Sequence, residues 1–332
     1  VVAAFALFAL VLALLAPQLL ALLAPGVGEL QRHAAAGPLA LTALALPLTA
    51  LAGVSAALLN ASGRFALAAC GTAVFNLFVI VALASRLPLL WAMAGGVVAG
   101  ALLRLLVQSL GAAGGLPALP RMGPWLLDGP LLRRFGGNFG FASALVLLAP
   151  IARAWASVAD PGALSLFNYA SKLVDLPMGV LMGALSAVLL PHLAANPAPS
   201  QIRRALRVTA LGALAIALPA LLAATPLARL VYFKAHFSPV QLQELGRTAA
   251  WAFAFLLPQA LVSLYGTVFA ALGYTRPLLA TGVLMVLALV LLAPLGQHLG
   301  GLVGVMIAYG TTYALGAALL SLLLQRELAG RG

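Results

Sequence analysis

Long apolar runs, separated by short stretches rich in glycine, proline and charge, fill most of this chain. A membrane-spanning helix needs about 20 consecutive apolar residues, and an unpaired backbone is not tolerated in lipid. We place spanning helices at residues 1–23, 39–59, 66–85, 89–111, 135–158, 162–193, 203–225, 245–272, 277–297 and 302–325. The pattern therefore predicts an all-α polytopic membrane protein with about ten transmembrane helices.

Composition agrees with the apolar pattern and excludes a soluble enzyme. Of 332 residues, 64% are hydrophobic and only 7% are charged, whereas soluble domains carry about 25% charged residues. The net charge of +12 does not indicate nucleic acid, because most cations lie in short loops between apolar runs. Val1 already lies inside an apolar run, so we interpret residues 1–23 as a span rather than a signal peptide. We also expect the protein to extend beyond this end.

Loop cations predict the orientation of the chain. Ten lie on one side, namely Arg64, Arg121, Arg133, Arg134, Arg203, Arg204, Arg207, Arg276, Arg326 and Arg331. The other side receives five, namely Arg32, Arg86, Arg229, Lys234 and Arg247. The cation-rich side is the cytoplasmic one, so both ends of the segment are predicted to face the cytoplasm.

Two similar turns indicate an internal repeat. Residues 59–68 and 271–280 each place a helix end, a tight turn, an arginine and a new apolar start in the same order, six helices apart. An even offset implies parallel repeats about an axis along the membrane normal. We therefore expect two pseudo-symmetric lobes, 1–120 with four helices and its first two missing, and 121–332 with six.

Ionisable side chains inside predicted spans are costly and are candidates for function. Lys172 lies about 15 Å into the sixth helix at 1.5 Å per residue, and Asp175 follows on the same face. Pro177 then opens the helix hydrogen-bond ladder, and we take Pro177 and Gly179 as a hinge. The alternative is an ion pair that only neutralises itself against a neighbouring helix.

Two arginines also fall within predicted spans. Arg153 either reaches the outer interface by snorkelling or lines a cavity, and the residues favour neither. Arg104 lies about seven residues before the cytoplasmic end of its helix, where snorkelling is favoured over a cavity role.

Signatures of catalysis and of metal or cofactor binding are missing from the sequence. It contains no H-E-x-x-H, G-x-S-x-G or P-loop motif, and its four histidines are scattered singly. Six acids, mostly in loops, leave no paired carboxylates for acid–base chemistry. We expect no enzyme activity, no cofactor and no metal site, which favours transport without chemistry.

Two runs in the sixth helix carry a family resemblance. Residues 166–180, including Tyr169-Ala170-Ser171-Lys172-Leu173 and Pro177-Met178-Gly179, precede a leucine-rich stretch ending in Leu190-Pro191. They resemble the MurJ/MviN family of lipid II flippases, with its Tyr-Ala-x-Arg-Leu-x-x-x-Pro-x-Gly pattern. The resemblance covers the whole chain, which would correspond to helices three to twelve of the family's fourteen.

The resemblance implies the multidrug/oligosaccharidyl-lipid/polysaccharide exporter fold, with two lobes around a central cavity in the bacterial inner membrane. It implies that undecaprenyl-diphosphate-linked peptidoglycan precursor is flipped to the outer leaflet by alternating access. Lys172 then matches the family's cavity arginine, Asp175 its acidic partner and Arg153 a further cavity cation. Lysine keeps the charge but lacks the bidentate fork of arginine. Expected partners are the lipid-linked precursor and membrane lipids; a coupling ion and the cell-wall synthesis or division machinery stay open.

Three other functions stay open on the sequence. A relative could flip another lipid-linked oligosaccharide of the O-antigen or capsule type. A non-transporting scaffold that binds lipid would belong to another class. A drug exporter is disfavoured, because Asp175 is the one acid at membrane depth.

Overall fold

The computed structural model describes residues 2–113, 129–195, 198–233 and 237–329, and every regular element in these ranges is an α-helix. The helices are α1 (Val2–Leu14), α2 (Ala16–Leu23), α3 (Glu29–Ala43), α4 (Ala45–Ala61), α5 (Phe65–Leu83), α6 (Leu89–Ala113), α7 (Gly129–Ala159), α8 (Ala163–Ala195), α9 (Pro199–Leu222), α10 (Ala224–Val231), α11 (Pro239–Ala254), α12 (Leu256–Leu272) and α13 (Thr275–Ala329). The predicted all-α class is confirmed.

The chain forms two compact units. The first comprises Val1–Leu22 and Val27–Leu126, and the second comprises Leu23–Gly26 and Leu127–Gly332. Within the first unit, α6 packs against both α4 and α5. Small residues permit this close packing, since a side chain on Gly100 would collide with Phe75 of α5.

The second unit is built around α7 and α13, which pack along each other, while α8 packs against α11. Large apolar side chains from these helices and from α12 are fully buried, among them Leu148, Phe167, Phe253, Phe269 and Met306. This apolar core fixes the positions of α8 and α11, on which several candidate site residues lie.

Six of the described helical segments are long and apolar enough to cross a membrane. The number rises to eight if each of two strongly bent helix pairs is counted as one span. Glu29–Ala61, which combines α3 and α4, counts as one of these segments. Many large apolar side chains are exposed, such as Leu222 at 87%. Such exposure is expected where lipid rather than water surrounds the helices.

Prolines explain why several predicted single helices are broken. Three breaks have a proline four residues after the last helical residue: Pro47 after Ala43, Pro226 after Leu222 and Pro258 after Ala254. Proline has no N–H, so the carbonyl four residues earlier loses its helical partner. The predicted span 245–272 is therefore α11 and α12 with a bend of 41°. The predicted span 1–23 also consists of two helices, α1 and α2, with a bend of 72° between them.

The break in α13 has a different origin. Gly300 and Gly301 have non-helical dihedral angles, and Gly301 has a φ of 54°, which favours glycine. A side chain on Gly304 would collide with the backbone of Gly296, although a straight helix would separate them by about 12 Å. The chain therefore turns back sharply at this point, between the predicted spans 277–297 and 302–325.

One predicted boundary is wrong by ten residues. The second span was placed at 39–59, yet α3 begins at Glu29. The first turns of α3 contain Glu29, Arg32 and His33, and such polar residues end a hydropathy-based span without ending the helix. Of the loop cations used to predict orientation, Arg121, Lys234 and Arg331 lie outside the described residues.

Candidate functional site

Helix α8 presents Lys172 and Asp175 together on one exposed face. The Nζ atom of Lys172 lies 2.9 Å from Oδ2 of Asp175, and the two side chains are 66% and 55% exposed. The i, i+3 spacing places them on neighbouring turns. Leu173 and Val174, between them in the sequence, are buried, so the ion pair lies on the part of α8 that the core leaves uncovered.

A cavity of about 640 Å³ lies beside this ion pair, between α8, α9, α10 and α11. Its volume is within the range of about 300–1,000 Å³ that small-molecule sites occupy. Eight of its eleven lining residues are apolar. Lys172, Asp175 and Tyr232 supply the polar groups of the lining, so the cavity is an apolar space with charge along one side.

An aromatic cluster of Tyr169, Tyr232 and Phe237 lies next to the cavity. The ring centroid of Tyr169 is 4.8 Å from that of Tyr232 and 5.4 Å from that of Phe237, both edge to face. Tyr232, outside the candidate spans, donates its hydroxyl to the backbone carbonyl of Tyr169 at 2.9 Å. Burial, and then the charges of Tyr169 and Asp175, raise the pKa of the Tyr232 hydroxyl, so it remains a donor at physiological pH.

The sequence of residues 229–247 is amphipathic and predicts an anchor in the membrane interface for Tyr232 and Phe237. It does not single out Tyr169 as their partner. The signal was present in the amphipathic α10, which ends at Val231 with Tyr232 next. The pairing itself depends on tertiary packing, which sequence periodicity does not reveal.

Arg153 lies on α7 in the second unit and is half-buried. Its Nε atom is buried and has no hydrogen-bond partner among the described residues. The same unit contains two neighbouring tyrosines on α13, Tyr309 and Tyr313. Tyr309 packs edge to face on Tyr313 with 5.3 Å between ring centroids. The sequence did not single out either tyrosine, although both lie one turn apart on α13.

Arg104 lies on α6 in the first unit, whereas the other three charged candidates belong to the second. Its Nε donates to Oε1 of Gln108 at 3.4 Å. Gln108 is fully buried and donates in turn to the carbonyl of Ala68 on α5 at 2.9 Å. Arg104 is thus linked to a buried amide that joins two helices.

Pro177 and Gly179 both lie within α8, which continues as one helix to Ala195. A Cβ atom added to Gly179 or Gly183 would have no described atom within 4 Å. This face of α8 therefore has free space next to it, rather than the close helix contact that a GxxxG spacing often makes. Pro177 also lines the cavity.

The described residues contain no group of three or more His, Cys, Asp or Glu side chains that could hold a metal ion. The polar groups of the cavity lining are the Lys172 amine, the Asp175 carboxylate and the Tyr232 hydroxyl. An exposed ammonium group beside an apolar space has the donors that an anionic, amphiphilic molecule requires.

Helices of membrane-spanning length, in an all-α fold, define this protein as a polytopic membrane protein. A family model described as "Lipid II flippase MurJ" matches residues 1–332. The chain belongs to this family of lipid II flippases, which are transporters and not catalytic enzymes.

Solved structures support the fold. The chain is similar to a lipid II flippase MurJ in an inward closed conformation, with a TM-score of 0.82 and 17% identity over 98% of this chain and 71% of that one. For an inward-facing multidrug resistance MATE family transporter of the MOP superfamily, the TM-score is 0.78 and the identity is 14%, over 98% of this chain and 78% of that one. For a mutant of the Vibrio cholerae MATE transporter VcmN, the TM-score is 0.72 and the identity is 19%, over 99% of this chain and 77% of that one. A comparison with curated protein sequences finds no match.

Proposed function

We propose that this chain flips lipid II from the inner to the outer leaflet of the bacterial cytoplasmic membrane by alternating access, and that Lys172 binds the diphosphate of the substrate. Membership of the lipid II flippase family supports the reaction. The observation that carries the role of Lys172 is its exposed amine on α8 at the edge of a cavity.

The physical need for such a cation is clear. A diphosphate that leaves water for the membrane interior loses its hydration, and an unpaired buried charge is very costly. The Lys172 ammonium has three N–H donors, and one is used by Asp175. Two donors remain for phosphate oxygens, so the amine offsets part of the lost hydration.

The other candidate residues have narrower roles in this proposal. Arg153 adds positive charge to the same unit, and Arg104 adds charge in the first unit. Pro177 and Gly179 act as a hinge in α8, because Gly179 leaves space for its movement. The two lobes are residues 1–120 and 121–332, and both ends of the segment face the cytoplasm.

The test is flipping of labelled lipid II in proteoliposomes that contain the full-length protein. Lys172→Ala is expected to lower the flipping rate at least tenfold, and Lys172→Arg is expected to retain most of it because the charge remains. Arg247→Ala is the matched control, since it removes an exposed cation from α11, away from the cavity.

Wild-type flipping by Lys172→Ala would contradict the role of Lys172. Binding of lipid II by the wild type without any flipping would instead favour a lipid-binding scaffold. Flipping of an O-antigen or capsule lipid in preference to lipid II would change the substrate.

A further inference from the structure

The cavity beside Lys172 has a shape and chemistry that the diphosphate alone does not use. Its walls are formed by apolar side chains from four helices, including Ile216 and Ala220 of α9, Leu227 of α10 and Phe253 of α11. A phosphate placed among these side chains would lose its hydration without hydrogen bonds in return. The cavity therefore suits an apolar group.

The polar groups at the cavity restrict how a ligand is oriented. The Tyr232 hydroxyl is already used by the Tyr169 carbonyl, and Asp175 is paired with Lys172. The remaining donors of Lys172 attract an anion to this side only. A ligand that satisfies both parts has an anionic group attached directly to an apolar chain.

We propose that this cavity binds the part of a polyprenyl chain nearest to the diphosphate, while the diphosphate contacts Lys172. This inference rests on the proposed function and adds a binding site for the lipid part of the substrate. The charge of Lys172 selects an anionic lipid, and the apolar walls bury the first prenyl units.

Such a site would also hold the substrate in a fixed position relative to Lys172. The chain emerges from the diphosphate at a fixed point, so anchoring its first units holds the phosphates beside the amine. Burial of each additional methylene contributes to affinity until the cavity is full. Affinity should therefore rise with chain length over the first prenyl units and then level off.

The experiment measures binding of prenyl diphosphates of increasing chain length to the purified full-length protein. Ala220 has the smallest side chain in the lining, so Ala220→Phe fills part of the cavity. We expect this variant to lose about tenfold in affinity for long chains and to bind inorganic diphosphate as the wild type does. Leu218→Phe is the control, because Leu218 is 56% exposed and does not line the cavity.

Equal dependence on chain length in Ala220→Phe and the wild type would overturn the proposal. The proposal would also be overturned if Ala220→Phe lost bound phospholipid but kept its affinity for prenyl diphosphates, since the cavity would then hold a structural lipid. Failure of the proposed function is recognised separately, because the protein would then bind long prenyl diphosphates in the cavity without flipping lipid II in proteoliposomes.

A labelling experiment avoids any effect of Ala220→Phe on folding. Leu227→Cys in a Cys70→Ser background places a single thiol at the cavity wall, and Leu230→Cys places one on the exposed side of α10. A long-chain prenyl diphosphate is expected to slow maleimide labelling at position 227 only, and inorganic diphosphate is expected to have no effect. Unchanged labelling at position 227 would contradict the proposal.

Discussion

The hydroxyl of Tyr232 donates a hydrogen bond to the backbone carbonyl of Tyr169 at 2.9 Å. This bond joins the segment after α10 to the first half of α8, three residues before Lys172. Tyr232 also lines the cavity, so the bond holds one cavity wall against the helix that carries the ion pair.

Tyr232→Phe should remove this hydrogen bond and keep the ring packing. A typical intramolecular hydrogen bond contributes about 0.5–1.5 kcal/mol, so we expect a small decrease in melting temperature in detergent. Because the pKa of Tyr232 is raised in the folded state, the bond is present below the ordinary tyrosine pKa of 10.0. It is lost as pH rises through the raised value, and the variant and wild type should then converge.

Tyr169→Phe is the matched control for this prediction. It removes a hydroxyl from the same cluster but retains the backbone carbonyl that accepts the bond. Equal destabilisation by both variants would show that the hydroxyl of Tyr232 has no specific role.

Gly304→Ala should destabilise the turn within α13. Its added methyl group would collide with the backbone of Gly296, which cannot move as a flexible side chain can. Overpacking of this kind typically costs about 1–3 kcal/mol, and thermal unfolding in detergent would measure it. Gly300→Ala is the control, because no atom lies within 4 Å of an added Cβ there. A similar melting temperature for both variants would contradict the close contact.

Much of this architecture was accessible from hydropathy, because lipid requires long apolar helices with paired backbones. Hydropathy therefore placed a boundary between two predicted spans at the turn that Gly300 and Gly301 form. The breaks before Pro47 and Pro258 were not predicted, although both prolines lie inside predicted spans. Proline within a membrane helix either bends it or breaks it, and α7 continues through Pro150, so neighbouring packing decides.

The candidate site was accessible in part. Lys172 and Asp175 stood out because charge is rare in these spans, and their spacing predicts a shared face. The cavity beside them was not predictable, because it depends on where α9, α10 and α11 pack. The same is true of Gln108, whose burial and bond to Ala68 arise from the contact of α5 with α6.

Gln108→Ala should destabilise the first unit. It removes a fully buried amide that bonds to α5 and accepts from Arg104, so Arg104 loses its partner. Losing such hydrogen bonds costs about 1–3 kcal/mol, to be measured as a lower melting temperature. Leu110→Ala, at a 72% exposed position on the same helix, should change stability far less. If Leu110→Ala had the larger effect, the buried network would not be a stabilising feature.

Asp175→Asn should increase the affinity for an anionic ligand at Lys172. The Asp175 carboxylate takes one donor of the amine at 2.9 Å and repels any phosphate that approaches it. Two unit charges about 4 Å apart interact by about 1 kcal/mol in water, so removing the repulsion should tighten binding of a prenyl diphosphate about fivefold. The gain should shrink at high salt, because screening weakens the repulsion.

Asp160→Asn, which removes an exposed carboxylate near the start of α8, is the control and should leave affinity unchanged. Weaker binding by Asp175→Asn would mean that the carboxylate positions the amine for the phosphate rather than competing with it.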